Sequence, residues 1–179
     1  MKKILLILIL LFVMTGCTDL NNTPKKQTEI FLNKYQTLDK DVLKDLDKVV
    51  AEETTFNASE RDKYRDLMKK HYQSLTYEIK DSKENGDKAT VTVEINVIDY
   101  SKTIAKTNTY LVTNKKEFLD DKGEYDVFKF NDYRIKELEQ VKDKVKYTLD
   151  LLLTKKDKKW EIEPITSEIE DKIHGIYSY

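Results

Sequence analysis

Two histidines, one cysteine, eleven tyrosines and many carboxylates are the side chains from which any chemistry of this 179-residue chain must be drawn. His71 and His174 stand about a hundred residues apart, and metal sites want clustered His, Cys, Asp or Glu. Glu170 lies one helical turn before His174 and can share a helix face with it, but a pair is short of a ligand set. Surface packing is therefore expected for both histidines. The segment from Asp120 to Asp126 holds four acids around Gly123 and invites a calcium reading. An EF-hand loop with Gly123 in sixth place would put Phe118 first, Lys122 fifth and Lys129 twelfth, which fails the ligand pattern. A solvated turn between helices is expected instead. No glycine-rich phosphate loop and no Gly-x-Ser-x-Gly elbow occur. Carboxylates are so abundant that sequence singles out no catalytic pair. Tyrosine is the compositional oddity. Tyr77, Tyr100, Tyr110, Tyr133 and Tyr147 fall in or beside the expected sheet and its covering helices. An apolar ring with a polar tip suits a pocket wall or a binding face, so these five are the candidate pocket residues. No cofactor is expected.

The cysteine has a different context. Met1-Lys2-Lys3 is followed by an apolar run from Ile4 to Met14, then Thr15-Gly16-Cys17. A short basic start, an apolar stretch and small residues before a cut point describe a secretory signal. Eleven helical residues reach roughly 16 Å, about half of a hydrocarbon core of about 30 Å, so the run is too short to span a bilayer. Met14-Thr15-Gly16-Cys17 resembles the lipobox of bacterial lipoproteins, with Met where Leu is usual. The resemblance implies a diacylglycerol on the Cys17 thiol and cleavage before it, which would also explain a lone cysteine in an exported chain. Two acyl chains hold firmly where one is marginal. The expected organisation is a signal peptide over 1–16, a lipidated Cys17 and polar tether over 17–23, and one domain over 24–179. The expected location is the extracytoplasmic face of the cell membrane.

Without Lys2 and Lys3 the remaining chain has 30 basic and 33 acidic side chains, a formal net of about −3. Nucleic acid, which wants a clustered basic face, is not an expected partner. A small molecule or an envelope protein is, alongside the membrane itself.

The elements that must position these residues follow from periodicity. Thr23-Pro24 opens a helix, and Phe31, Tyr35, Leu38, Val42, Leu46 and Val49 recur at helical spacing, as one bent helix or two with Asp39 capping the second. A further helix is expected from Ser59, with Asp62 completing a capping box and Tyr64, Leu67, Met68 and Tyr72 on its apolar face. The period then drops to two. Leu75, Tyr77 and Ile79 precede an Asn85-Gly86 turn centred on those two residues, and Val91, Val93, Ile95 and Val97 form the inward row of the return strand. Tyr100, Ile104, Thr107, Leu111 and Phe118 mark a helix from Asp99 or Ser101 ending near Asp120–Gly123. Val127, Phe130, Ile135, Leu138 and Val141 mark the next. Val145, Tyr147, Leu149, Leu151 and Leu153, a turn over Lys155–Lys159, and Trp160 with Ile162 form a second hairpin that Pro164 stops. A short helix from Ser167 ends at Gly175.

Two hairpins with one apolar face each predict an α+β domain: a curved four-stranded antiparallel sheet packed by N-terminal and inserted helices. The order resembles the cystatin-like and nuclear-transport-factor-2-like (NTF2-like) folds. The segments Asp99-Tyr100-Ser101, Tyr110-Leu111, Glu117-Phe118, Asp121-Lys122-Gly123-Glu124-Tyr125-Asp126 and Lys172-Ile173-His174-Gly175-Ile176-Tyr177 resemble a group of Gram-positive (Bacillota) lipoproteins over residues 24–177. That resemblance implies location and fold and carries no activity. A lipid-anchored, non-enzymatic binding domain is the expectation. An enzyme using a pocket in the same fold, or an accessory subunit of an envelope complex, are the competing readings.

Overall fold

A computed structural model describes residues 22–178. Helices α1 (Pro24–Gln36), α2 (Lys40–Glu52) and α3 (Ala58–Ser74) lead into strands β1 (Thr76–Asn85) and β2 (Lys88–Ile98). Helix α4 (Ser101–Thr113), a 3₁₀ turn (Lys115–Phe118) and α5 (Val127–Glu139) follow, then β3 (Lys144–Lys156), β4 (Lys159–Ile162) and α6 (Ser167–His174). The strands form one antiparallel sheet in the order β1-β2-β3-β4. This is the expected α+β architecture, and it fits the cystatin-like and NTF2-like layout.

The sheet is held together where the period-two pattern is cleanest. Val91, Val93, Ile95 and Val97 of β2 are completely buried, and Tyr147, Leu149, Leu151 and Leu153 of β3 face the same side. Each such aliphatic side chain contributes about 1.5–3 kcal/mol on burial. Leu32 of α1, Leu75 and Ile173 of α6 close this layer. Outside it lies a second cluster made by helices alone: Val42, Leu46 and Val50 of α2, Leu67, Met68 and Tyr72 of α3, Tyr100, and Leu138 of α5.

Some local expectations hold and others are corrected. The N-terminal stripe is two helices, and the Asp39 side chain accepts from the Asp41 amide at 3.0 Å. Val50, not Val49, carries the buried row onward, because Val42, Leu46 and Val50 repeat every four residues. The cap of helix α3 lies two residues earlier than expected, at Asn57. Asn57 accepts from the Glu60 amide at 3.0 Å and Glu60 accepts from the Asn57 amide at 2.7 Å, a complete capping box that Ser59 and Asp62 do not make. In the first hairpin Asn85 pairs with Lys88, so Gly86-Asp87 is the central pair and only Gly86 takes positive φ, at 61°. Helix α4 stops at Thr113, where Asn114 takes over and the 3₁₀ turn begins. Asp120 does form an exposed turn, its carboxylate accepting from the Lys122 and Glu124 amides at 2.8 and 2.9 Å.

Candidate functional site

His71 is the first clue to the site, because it is not on the surface. It is completely buried, and its Nε2–H donates to the Ile173 carbonyl at 2.8 Å. That carbonyl lies in the last turn of α6, where helix carbonyls lack intrahelical partners. Nδ1 is buried with no partner among the described residues. Burial holds the imidazole down to about 4, against the opposing pull of the Ile173 carbonyl, so the ring is neutral near neutrality. Gly175 completes the joint. It ends α6 in the left-handed conformation, φ 69°, with its carbonyl accepting from the Tyr100 amide at 2.8 Å. A Cβ there would collide with the Ile98 carbonyl oxygen and lie 2.9 Å from His71 Cε1. Helix α6 is thereby pinned against α3 and the end of β2.

Pinned this way, α6 presents Glu170 and His174, four residues apart on one face, to a cleft of about 360 Å³. The opposite wall is the row of α2 that the buried stripe leaves over: Asp45, Val49 and Glu52, with Lys48 beside them. This is why Val49 is 51% exposed beside a Val50 that is 1% exposed. The floor is aromatic. Tyr35 of α1 meets Tyr72 of α3 edge-on at 5.2 Å between ring centroids, and Tyr72 meets the His174 ring at 5.8 Å. Tyr64 and Met68 continue the floor along α3 toward a smaller hollow of about 160 Å³ lined in part by Phe56, Ile104 and Arg134.

The electrostatics of the cleft follow from burial and two carboxylates. Burial pushes the Tyr35 phenol up to about 12, and the Glu170 and Asp45 charges add to the shift. Tyr72 is pushed up further, again by burial first. Burial lowers His174, opposed by the nearby Asp171 charge. The phenols are thus protonated donors near neutrality, and the imidazole is held toward its neutral form. Tyr72 is only 3% exposed, yet its hydroxyl has no hydrogen-bond partner among the described residues. Neither does the His174 ring. A proton relay needs base, orienting group and nucleophile within mutual hydrogen-bond reach, and among the described residues the cleft shows hydroxyl donors and ring faces without hydrogen bonds between them. Among the described residues no group of three or more His, Cys, Asp or Glu is placed to hold a metal ion.

The five tyrosines singled out from sequence do not come together. Tyr77 and Tyr147 flank Ile95 in register on the sheet. Tyr77 donates to Asn33 at 2.9 Å, and Tyr147 donates to the Tyr177 carbonyl at 3.1 Å. Tyr100 is buried against His71, ring centroids 5.1 Å apart. Tyr110 and Tyr133 stack at 5.0 Å between α4 and α5, and Tyr110 donates to the Glu117 carboxylate. The cleft uses Tyr35, Tyr64 and Tyr72, which the sequence shows only as members of helical apolar stripes. Cys17 and the apolar leader lie outside the described residues. Among the described residues no helix is long and apolar enough to cross a membrane.

Fold and cleft together define a mixed α+β domain with an open antiparallel sheet and an aromatic-floored cleft in its helical layer. No family model matches the chain, and no curated protein matches it in sequence. Among solved structures the chain is similar to the crystal structure of ycdA, a candidate lipoprotein from Bacillus subtilis subsp. subtilis str. 168, at 13% identity and a TM-score of 0.46. The match covers 99% of this chain and 56% of that one, so the chain spans a little over half the length of that structure.

Proposed function

We propose that the chain is a lipoprotein held at the extracytoplasmic face of the cell membrane by a diacylglycerol on Cys17, and that it is a binding module rather than an enzyme, capturing a small molecule in the helical cleft. The observation that carries the binding reading is Tyr72: a side chain otherwise buried, with an unpartnered hydroxyl, on the floor of an open cleft. The hydroxyl oxygen itself is not buried, so it opens on the cleft as a donor that a ligand acceptor can engage in place of water. The volume of about 360 Å³ is in the range of small-molecule sites.

The anchor reading rests on Met14-Thr15-Gly16-Cys17 and on Cys17 being the single cysteine. Asn22 supports an orientation for it. Its side chain donates to the Lys158 carbonyl at 2.6 Å and accepts from the Trp160 amide at 2.9 Å. That brace holds a turn in which Asp157 and Lys158 both take left-handed φ without a glycine. Five Cα–Cα steps join Cys17 to Asn22 and reach at most about 18 Å, so the β3–β4 turn, with Lys155, Lys156, Lys158 and Lys159, lies near the lipid headgroups. Lysines there favour an anionic surface. A Cys17→Ser chain without residues 1–16 is expected to sediment weakly with anionic vesicles, less so as salt rises; salt-independent or absent sedimentation overturns the orientation.

Two measurements test the main reading. Cys17→Ala is expected to move the protein out of the membrane fraction; an uncleaved variant kept there at the wild-type level contradicts lipid anchoring. Native mass spectrometry of the Cys17→Ser chain, exposed to extract of the source cells, is expected to show a reproducible added mass below about a kilodalton, the size class such a cleft admits. A bare monomer contradicts small-molecule capture.

A further inference from the structure

We propose that the cleft selects a small organic cation: an ammonium group at the carboxylate rim, with an apolar or aromatic body on the tyrosine floor. The inference rests on reading the cleft as the ligand site and adds the charge of the ligand.

The first observation is which charges at the rim are free. Lys48 and Glu52 pair with each other at 3.9 Å along α2. Asp45 on α2 and Glu170 on α6 stand on opposite walls, and neither has an ion-pair or hydrogen-bond partner among the described residues. Other carboxylates are held by lysines, as Asp132 is by both Lys63 and Lys136, and Glu94 by both Lys80 and Lys146; Asp45 and Glu170 are distinguished by standing unpaired on facing walls of one cleft. The field of Asp45 and Glu170 reaches the floor, because both charges act on Tyr35 and on Tyr72. A cation between the walls is drawn by both carboxylates, and an anion faces both with only the paired, largely exposed Lys48 to oppose them.

The second observation is independent of charge. Tyr35, Tyr72 and His174 form a connected set of rings with centroid separations of 5.2 and 5.8 Å, and the Tyr72 hydroxyl on that floor has no partner among the described residues. Aromatic faces attract ammonium groups through the ring quadrupole. Asp171 and the completely buried His71 are the other titratable groups near His174, and no Lys or Arg other than Lys48 lines the cleft.

The test uses two probes of matched shape and opposite charge, phenethylammonium and phenylacetate, followed by NMR of the His174 and tyrosine ring resonances in the Cys17→Ser chain without residues 1–16. Phenethylammonium is expected to give saturable shifts at His174 and Tyr72, and phenylacetate to bind at least about tenfold more weakly. Asp45→Asn and Glu170→Gln, both at exposed positions, are each expected to weaken the cation about fivefold while leaving the unfolding midpoint in place. Equal binding of the two probes, preference for phenylacetate, or indifference to both substitutions overturns the charge selectivity and leaves the cleft standing as a site. Absence of saturable shifts with either probe overturns the cleft reading as well.

Discussion

Strand β2 and helix α2 bury similar aliphatic side chains and close their surroundings differently. Along β2 the inward row Val91, Val93, Ile95 and Val97 is completely buried, with the β3 row beside it leaving no room. Along α2 the buried row is Val42, Leu46 and Val50, and the next row, Asp45, Val49 and Glu52, faces open space. A pleated strand puts alternate side chains on one plane, so neighbouring strands make a continuous floor. A helix is round, so adjacent rows diverge, and the wedge between α2 and the α3–α6 pair is lined by Tyr35, Tyr64, Tyr72 and His174 instead of aliphatics. The sheet is the closed half of the core, and the helical layer is the half that holds an open cleft.

The contrast predicts unequal responses to substitution. Ile95→Ala opens a cavity in the closed half and is expected to cost about 3–4 kcal/mol, read from the urea midpoint. A loss under about 1 kcal/mol would mean the sheet layer is as loosely closed as the cleft. Gly175→Ala attacks the joint between the halves. Left-handed φ and the collision with the Ile98 carbonyl are expected to cost roughly 3 kcal/mol together and to broaden the ring resonances of His174, since α6 loses its seat. Wild-type stability with an undisturbed His174 contradicts the pinning.

The buried His71 makes that joint pH-dependent. Its folded-state value, about 4, lies below the ordinary 6.5, so the unfolded chain binds the proton first and stability rises with pH between those values. The contribution is present above about pH 6.5 and is lost as pH falls toward 4, on the order of 3 kcal/mol in all. His174, shifted the same way, adds to the slope. His71→Leu is expected to lower stability at pH 7 and to flatten the loss between pH 6.5 and 4; an unchanged slope would show that other groups carry it. The smallest effect is expected for Tyr72→Phe, within about 0.5 kcal/mol, because the hydroxyl has no partner among the described residues to lose. A cost above about 1 kcal/mol would reveal a structural bond at the cleft floor.

What was legible in the sequence divides along the same line. The β2 row, both hairpins and the Gly175 cap are local signals of period two or of backbone conformation, and they stand where periodicity puts them. Strong local signals can still be outbid by neighbours: Asn57-Ala58-Ser59-Glu60 makes a better capping box than Ser59 through Asp62, and Gly86 draws the turn one residue along. The cleft was hidden because it is a long-range object. Tyr64 and Tyr72 look like ordinary stripe residues until α6, about a hundred positions later, sets Glu170 and His174 against them. The Glu170–His174 spacing was visible, but nothing local says what the pair faces. His71 misled for the same reason: its partner, the Ile173 carbonyl, is 102 residues away. The sheet tyrosines drew attention by position, and packing spends them on Asn33, Tyr177 and each other's surroundings.

The central claim, that the helical wedge is a binding site, is tested most directly by filling it. Val49 is exposed and lines the cleft, so Val49→Trp adds bulk there without disturbing the buried row of α2. Native mass spectrometry of the chain exposed to source-cell extract is predicted to show a small added mass on the wild type and none on Val49→Trp, at equal unfolding midpoints. An added mass that survives Val49→Trp unchanged would place the ligand elsewhere and contradict the account.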